Sequence, residues 1–386
     1  MPANPATQPF DPEPLLRLLA CGRPHAPLRR LLDSHGGPAA ALAAGRADWA
    51  SHGLREPQIQ ALRRPDAALV ERSLRWLAEP GRGLLGWGDA DYPPLLRRIA
   101  SPPLALFVSG DASALWRPSV AIVGSRAATP AGRENASLFA SQLAAAGLCV
   151  ASGLAAGIDA AAHAAALAHP AGTVAVQGTG PDRVYPLENA ALHARIAQAG
   201  AVVSEHPPGT APLREHFPSR NRILAGLAVA TLVIEAAERS GALITARLAA
   251  EAGREVMALP GSIHNPMARG CHRLIRDGAT LVESPQEVQE LLAPVLGELA
   301  RCLRGQLQLA VDAPPDAPAS ARKAQDARHS MLWSALGHDP TDMDQLQART
   351  GLTAAELSSM LLALELDGQV AVEHGRYYRT GARDRS

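Results

Sequence analysis

A chain of 386 residues is long for one compact unit and predicts two or three domains. Hydrophobic residues make up 47% and charged residues 19%, enough apolar material for a sizeable core, which excludes global disorder. Lys+Arg and Asp+Glu are both 37, so the formal net charge is zero; a role in coating polyanions generally is excluded, and any nucleic-acid site must be a local patch.

Only Lys323 among the basic residues is lysine, so every fixed cationic site before it must be built from arginine. A P-loop lysine or a Schiff-base lysine is thereby ruled out of the main body. The cysteines Cys21, Cys149, Cys271 and Cys302 form no Cys-x-x-Cys pair, which argues against a zinc ribbon or disulfide scaffold and suits a reducing cytoplasm. Residues Met1 to Phe10 lack a signal-peptide pattern, and no run of about 18 apolar residues is present to span a membrane. The expectation is a cytoplasmic protein with no membrane contact.

In chain order, residues 1–80 read as a module of short helices. Leu15, Leu16, Leu18 and Leu19 form one apolar face and Leu28, Leu31 and Leu32 the next, with Gly36-Gly37, Gly45 and Gly53 as interruptions. Residues 81–112 read as a lead-in segment with one strand, Leu104–Val108. Across 113–296 strand-like runs alternate with alanine-rich helical stretches. The predicted strands are Val120–Val123, Leu148–Ala151, Thr173–Val176, Ala201–Ser204, Thr231–Ile234 and Glu255–Ala258. The predicted helices are Glu134–Ala145, Ala160–Ala168, Leu192–Ala199 and Ile244–Ala252. Short, continuously apolar strands are what a parallel sheet covered on both faces requires, so the fold class is α/β, a doubly wound, mostly parallel, Rossmann-like sheet. Residues 81–296 form this core. Residues 297–326, with Pro314, Pro315 and Pro318, read as a linker. Residues 327–386 read as a winged helix: helices at Ser330–Leu336 and Thr341–Ala348, a third opened by a Thr353/Glu356 capping box, then a hairpin after Asp367-Gly368.

Ligands of such sheets sit beyond the carboxyl ends of the strands, so the loops there are the places to look. Val120–Val123 runs into Gly124-Ser125-Arg126, where backbone N–H groups and a guanidinium can be aimed at an anion; an ordinary tight turn with a surface arginine is an equal alternative. Neither a Gly-x-Gly-x-x-Gly nor a Walker pattern follows. Ser152-Gly153 leads to Asp159 and His163 at i and i+4; these can form a catalytic dyad, but the favoured reading is a helix cap and a locally bonded histidine. Gly178 to Asp182, with Tyr185-Pro186, is a polar turn of low specificity. The most telling segment carries Arg214, Phe217, Pro218, Arg220, Asn221 and Arg222. Aromatic residues are 3% of the chain, so a phenylalanine between arginines in what reads as a proline-bearing loop suggests a stacking platform beside cations, as a single strand needs; a ring plugged into its own domain is the alternative. Last, Ser240-Gly241 can expose N–H donors at a helix start, with Thr245 and Arg247 nearby. None of these loops holds a complete catalytic set, and no metal-ligand spacing is present.

The order and wording of these turns resembles the DprA (Smf) family of bacterial DNA-processing proteins over nearly the whole chain. The segments that carry the resemblance are Val120–Arg126, Ser152–Asp159 with His163, Tyr185-Pro186, Ser204-Glu205, Phe217–Arg222 with Ile223 and Gly226, Ser240–Arg247, and Pro260-Gly261-Ser262 through Gly278-Ala279. The three-part layout is similar too: a helical SAM-like module, an extended Rossmann-like core and a winged-helix tail. The resemblance implies a single-stranded-DNA-binding recombination mediator, not an enzyme and without a cofactor. Such a protein protects incoming DNA during natural transformation, helps load the RecA recombinase and acts as a homodimer in the cytoplasm. Carried over by position, Arg126 contacts phosphate, with Gly124 and Ser125 offering backbone groups. Arg214 and Phe217 flank the strand as cation and stacking face, and Arg220, Asn221 and Arg222 support that pocket. Gly153, Ser240, Gly241, Thr245 and Arg247 complete the implied interface. The rival from another class is a related nucleotide-binding enzyme that cleaves nucleoside monophosphates. It uses a Pro-Gly-Gly-x-Gly-Thr loop, of which only Pro260-Gly261-Ser262 is present. Duplex binding by the winged helix is a third reading, weakened by Glu356, Glu365 and Asp367 in and just beyond its third helix, where no arginine stands.

Overall fold

A computed structural model of the chain describes residues 11–312, 331–336, 341–352, 370–373 and 376–379, and the single positions 357, 360, 361 and 364. It divides into two compact units, Met1–Glu298 and Leu299–Ser386.

The first unit begins with six short helices: α1 (Glu13–Ala20), α2 (Ala26–His35), α3 (Pro38–Ala43), α4 (Arg46–Ser51), α5 (Glu56–Arg63) and α6 (Ala67–Leu77). Their ends obey local rules. Proline sits in the first turn of α2, where its missing N–H costs nothing, and Gly36 in the left-handed region at φ 69° stops that helix. Leu15, Leu16, Leu18, Leu28, Leu31, Leu32 and Leu62 are buried together. That core does not end at residue 80. It continues into Leu84 of β1 (Arg82–Gly86) and Ala105 and Phe107 of β2 (Ala105–Gly110), whereas Leu106 and Val108 of β2 belong to the core on the sheet's other face. The two-residue period of a strand thus joins the helical module to the sheet.

The lead-in segment holds two strands, not one. β1 pairs antiparallel with β2, from Arg82↔Ser109 to Gly86↔Ala105, with α7 (Pro94–Arg97) between them. β1 reads Arg-Gly-Leu-Leu-Gly, and two glycines in five residues hide it from any propensity count; its pairing with β2 makes it a strand.

The sheet then gains β3 (Ser119–Gly124), β4 (Cys149–Ser152), β5 (Thr173–Gln177), β6 (Ala201–Ser204), β7 (Ala230–Ile234), β8 (Glu255–Ala258) and β9 (Thr280–Leu281). The order is β1-β2-β6-β5-β4-β3-β7-β8-β9, parallel from β6 to β9 and antiparallel at β1/β2 and β2/β6. Helices α8 (Pro130–Ala145), α9 (Ile158–Ala166), α10 (Ala190–Ala199), α11 (His216–Leu227), α12 (Gly241–Glu251) and α13 (Arg269–Arg276) connect these strands. Every residue of β4, β5, β6 and β7 is buried, as a sheet covered on both faces demands. The doubly wound, mostly parallel α/β fold is as expected.

Helix α14 (Pro285–Asp312) runs through the first half of the expected 297–326 linker. Helix-forming residues continue to Asp312, and the proline run begins only at Pro314. The rest of the linker, including Lys323, lies outside the described residues.

In the second unit residues 331–336 are helical, and β10 (Thr341–Asp342) precedes a helix, Met343–Thr350. Asp342 caps that helix through the Gln345 N–H, and Gly351 ends it at φ 68°. β11 (Val370–Glu373) and β12 (Arg376–Arg379) complete a sheet of order β10-β12-β11 around Leu332, Leu336, Leu346, Leu357, Leu361 and Val370. The predicted Thr353/Glu356 capping box and the Asp367-Gly368 turn lie outside the described residues, as do Glu365 and Asp367.

Candidate nucleic-acid interface

Strand order reverses at β3. The chain winds outward through β4, β5 and β6 on one side and through β7, β8 and β9 on the other. Helices leave in opposite directions from such a point, which opens a crevice beyond the carboxyl ends of β3 and β7. A cavity of about 630 Å³ lies there.

At the end of β3, Gly124 passes so close to β7 that an added Cβ would stand 1.9 Å from the Ile234 carbonyl oxygen. The Ser125 N–H donates to the Glu235 carbonyl at 2.6 Å, locking the two loops together. Ser125 itself is buried, its hydroxyl accepting from the Ala127 N–H at 3.1 Å, and it does not line the crevice. Arg126 is exposed and does line it.

At the end of β4, the Gly153 and Ala155 N–H groups donate to the Asp159 carboxylate at 3.0 and 3.3 Å. Asp159 therefore ties the loop down. His163 instead meets the Thr173 hydroxyl at 2.6 Å, so no Asp159–His163 dyad forms; Asp159 holds the preceding loop rather than capping α9, whose N-cap is Gly157. A Cβ on Gly153 would meet Arg220 Nη1 at 2.1 Å, so only glycine lets that guanidinium pass.

The Phe217–Arg222 segment is not a loop. It is the start of α11, because Pro218 falls in the first turn, where a helix tolerates it. Helical spacing then sorts its residues. Phe217, Arg220, Asn221 and Leu224, at i, i+3, i+4 and i+7, share one face and all line the crevice. Arg220 is buried, and its Nη1 donates to the Val176 carbonyl at 2.5 Å; Asn221 donates to the Gly241 carbonyl at 3.4 Å. Arg222 points elsewhere. It pairs with the buried Glu205 at 2.5 Å, and Arg23 reaches the same carboxylate oxygen at 2.6 Å. Burial pushes the Glu205 carboxyl up, and Arg222 and Arg23 more than offset it, holding it below the usual carboxylate range. Arg222 is thus a structural cation rather than a crevice residue.

At the start of α12, the Ser240 hydroxyl accepts from the Ala242 N–H at 3.2 Å, and Ser240, Gly241 and Thr245 line the crevice with the positive end of the helix dipole. Arg247, two residues past Thr245 and so about 200° round the helix, is exposed and paired with Glu251 at 3.5 Å. It lies outside the crevice lining. Arg214, in the segment before α11, is exposed and within the lining.

Two crevice residues with polar side chains lie outside the interface expected from the sequence. Tyr185, 45% exposed, holds its ring 5.3 Å from Phe217 at a tilt of 46°, while the Arg126 guanidinium lies 5.6 Å from the other ring's centroid. The signal for Tyr185 was its rarity, since the chain has only four tyrosines. Asp159 is the other. Burial pushes its carboxyl up, opposed by the Arg220 charge and by the two loop N–H groups. Burial likewise pulls the Arg220 guanidinium down to about 10, opposed by Asp159, so it stays charged at neutral pH. A smaller cavity of about 170 Å³ adjoins, between Arg126, Tyr185, Phe217 and Arg220. Among the described residues neither Arg126 nor Arg214 has a carboxylate within ion-pair distance. The crevice therefore offers two unneutralised cations, two neighbouring aromatic rings and the positive end of α12.

The family profile described as DNA recombination-mediator protein A matches residues 83–293, and a DprA winged helix domain profile matches 313–376. Protein Smf of Escherichia coli K12 is 40% identical over 316 residues, 80% of this chain and 80% of that protein. DNA processing protein DprA of Streptococcus pneumoniae is 47% identical over 200 residues, 52% of this chain and 71% of that protein. The crystal structure of the Streptococcus pneumoniae protein superposes with a TM-score of 0.65 at 37% identity, covering 73% of this chain and 98% of that one. A structure described as giving insight into the single-stranded DNA binding mode of DNA processing protein A from Helicobacter pylori superposes with a TM-score of 0.51 at 28% identity, covering 55% of this chain and 96% of that one. A matched core and tail, and a close relative aligned over four-fifths of its length, place this chain in the DprA/Smf family of DNA recombination-mediator proteins.

Proposed function

We propose that the crevice at the β3/β7 switch point grips single-stranded DNA, with Arg126 and Arg214 on phosphates and Phe217 and Tyr185 on bases. The observation that carries this reading is the clustering of two cations free of carboxylate partners with two facing aromatic rings. Backbone charge needs the first and an unpaired base needs the second; a duplex, whose bases are already stacked, can use only the cations. The Helicobacter pylori relative, described as a single-stranded DNA binder, supports the same substrate. Gly124, Gly153, Ser240, Gly241, Thr245, Arg220 and Asn221 shape the walls, while Ser125, Arg222 and Arg247 act away from the strand.

On this reading the protein is a binder and not an enzyme. It covers incoming single strands in the cytoplasm, as a homodimer, and passes them to the RecA recombinase. Among the described residues no helix is long and apolar enough to cross a membrane. The Pro260-Gly261-Ser262 turn stands outside the crevice lining, which disfavours the nucleoside-monophosphate-cleaving alternative. Fluorescence anisotropy with single-stranded and duplex oligonucleotides, run beside a nucleoside monophosphate hydrolysis control, tests the reading. Preference for the single strand is expected, with affinity weakened in Arg126→Ala and Arg214→Ala and the preference narrowed in Phe217→Ala; equal affinity for duplex, or hydrolysis above background, overturns it. Recombinase delivery is read separately, as the rate of RecA filament growth on strands precoated with a single-strand-binding protein.

A further inference from the structure

Outside the crevice lining, the helical module brings three side chains together whose chemistry the DNA-binding role does not use. His35 is the last residue of α2, Asp48 lies in α4, and His52 follows α4. His35 Nε2 lies 2.7 Å and His52 Nδ1 3.4 Å from the same Asp48 carboxylate oxygen. The three ligand atoms are all within 4.8 Å of one another.

His52 Nε2 lies 3.0 Å from the Ser34 oxygen, and the Ser34 hydroxyl reaches the Arg30 carbonyl at 3.0 Å, so the outer ring nitrogen of His52 has a partner of its own. Around Nδ1 stand the Asp48 carbonyl at 2.9 Å, the Ser51 oxygen at 3.3 Å and the Asp48 carboxylate at 3.4 Å. The Ser51 hydroxyl gives its proton to the Asp48 carbonyl at 2.7 Å. Nδ1 thus faces three oxygens, among them the carboxylate that His35 also reaches, and one cation can be shared by the two imidazoles and that carboxylate. Arg30, the nearby guanidinium, donates to the His52 carbonyl at 2.8 Å and is not ion-paired to Asp48.

We propose that His35 Nε2, Asp48 Oδ2 and His52 Nδ1 form a site for one divalent transition-metal ion of the zinc class. Two imidazoles and one carboxylate suit that class and not magnesium or calcium, which take oxygen ligands. The Ser34 hydroxyl plays the outer partner that orients a ligating imidazole through its other ring nitrogen. A tetrahedral ion about 2.0–2.1 Å from each donor needs donor separations of about 3.4 Å, which small rotations of the side chains supply. Side-chain exposures of 27%, 35% and 20% leave a fourth position to water and a path for entry. The ion would clamp the carboxyl end of α2 to α4.

The test uses the full chain stripped of metal by a chelator and then titrated with cobalt(II) and zinc(II). One equivalent of cobalt with visible d–d absorption is expected, displaced by zinc, with magnesium inert. His35→Gln and His52→Gln should each weaken zinc binding at least tenfold, and Asp48→Asn likewise, while His264→Gln changes nothing. The thermal midpoint should rise with zinc in the parent and stay still in the His35→Gln/His52→Gln double variant, whose metal-free circular dichroism matches the parent's. Zinc binding of unaltered strength in that double variant, or no bound equivalent in the parent, overturns the proposal.

Discussion

Removing the Phe217 ring tests the binding site more sharply than removing any charge. The ring is half-buried on the crevice face of α11, with Tyr185 at 5.3 Å and the Arg126 guanidinium 5.6 Å from its centroid. A base stacked on such a face is worth about 1–3 kcal/mol by alanine substitution, which is about five- to 150-fold in Kd. Phe217→Ala should therefore weaken binding of a short oligothymidylate by that factor. Because the ring is only half-buried, the cost to folding should stay below the roughly 3–5 kcal/mol of a fully buried phenylalanine. Phe217→Leu separates the two effects. It keeps apolar volume and removes the π face, so most of the affinity loss should remain while most of the stability returns. Anisotropy titrations at fixed salt, beside urea unfolding of each variant, read both quantities. Tyr185→Ala should lose less than its full share once Phe217 is gone, since the rings touch. A Phe217→Ala protein that unfolds like the parent and binds within twofold of it would refute stacking at this site.

Other outcomes follow from the same geometry. Arg126→Gln should lower the slope of log K against log salt by about 0.7, the value for one phosphate of a single strand; an unchanged slope takes Arg126 off the backbone. Arg222→Ala should leave DNA affinity intact and cost on the order of 3 kcal/mol of stability, because it strips a partner from buried Glu205; lost affinity with unchanged urea unfolding would return Arg222 to the site. Gly124→Ala sets a Cβ 1.9 Å from the Ile234 oxygen and 2.6 Å from Ile158 Cγ1, and should lower the thermal midpoint by the equivalent of about 1–3 kcal/mol or more. Acid should destabilise the fold. Burial holds His163 down to about 3 and His25 and His206 down to about 4, so each is neutral when folded and takes a proton when unfolded below about 6.5. Their contribution is complete above that pH and falls on acidification by about 1.4 kcal/mol per pH unit per group; urea midpoints equal at pH 7 and pH 5 would contradict this.

Much of the fold was legible because it is written in local periodicity. The runs Val120–Val123 and Thr231–Ile234 are too apolar for anything but a doubly covered strand, and strand order reverses where the glycine- and arginine-bearing loops stand. Sequence alone also established that fixed cations before Lys323 must be arginines, and it pointed to the loops after β3, β4 and β7, residues of which line the crevice. What it could not decide is direction. Phe217, Arg220, Asn221 and Arg222 are near neighbours in the chain, yet helical geometry sends three to the crevice and turns Arg222 to Glu205, a residue 17 positions earlier. Tyr185 joins Phe217 only because β5 and α11 converge from separate stretches of chain. β1 exists only because β2 pairs with it. Local chemistry sets which residues can form a helix, strand or turn; which faces meet, and therefore which cations stay unpaired for a ligand, depends on long-range packing that no window of sequence contains.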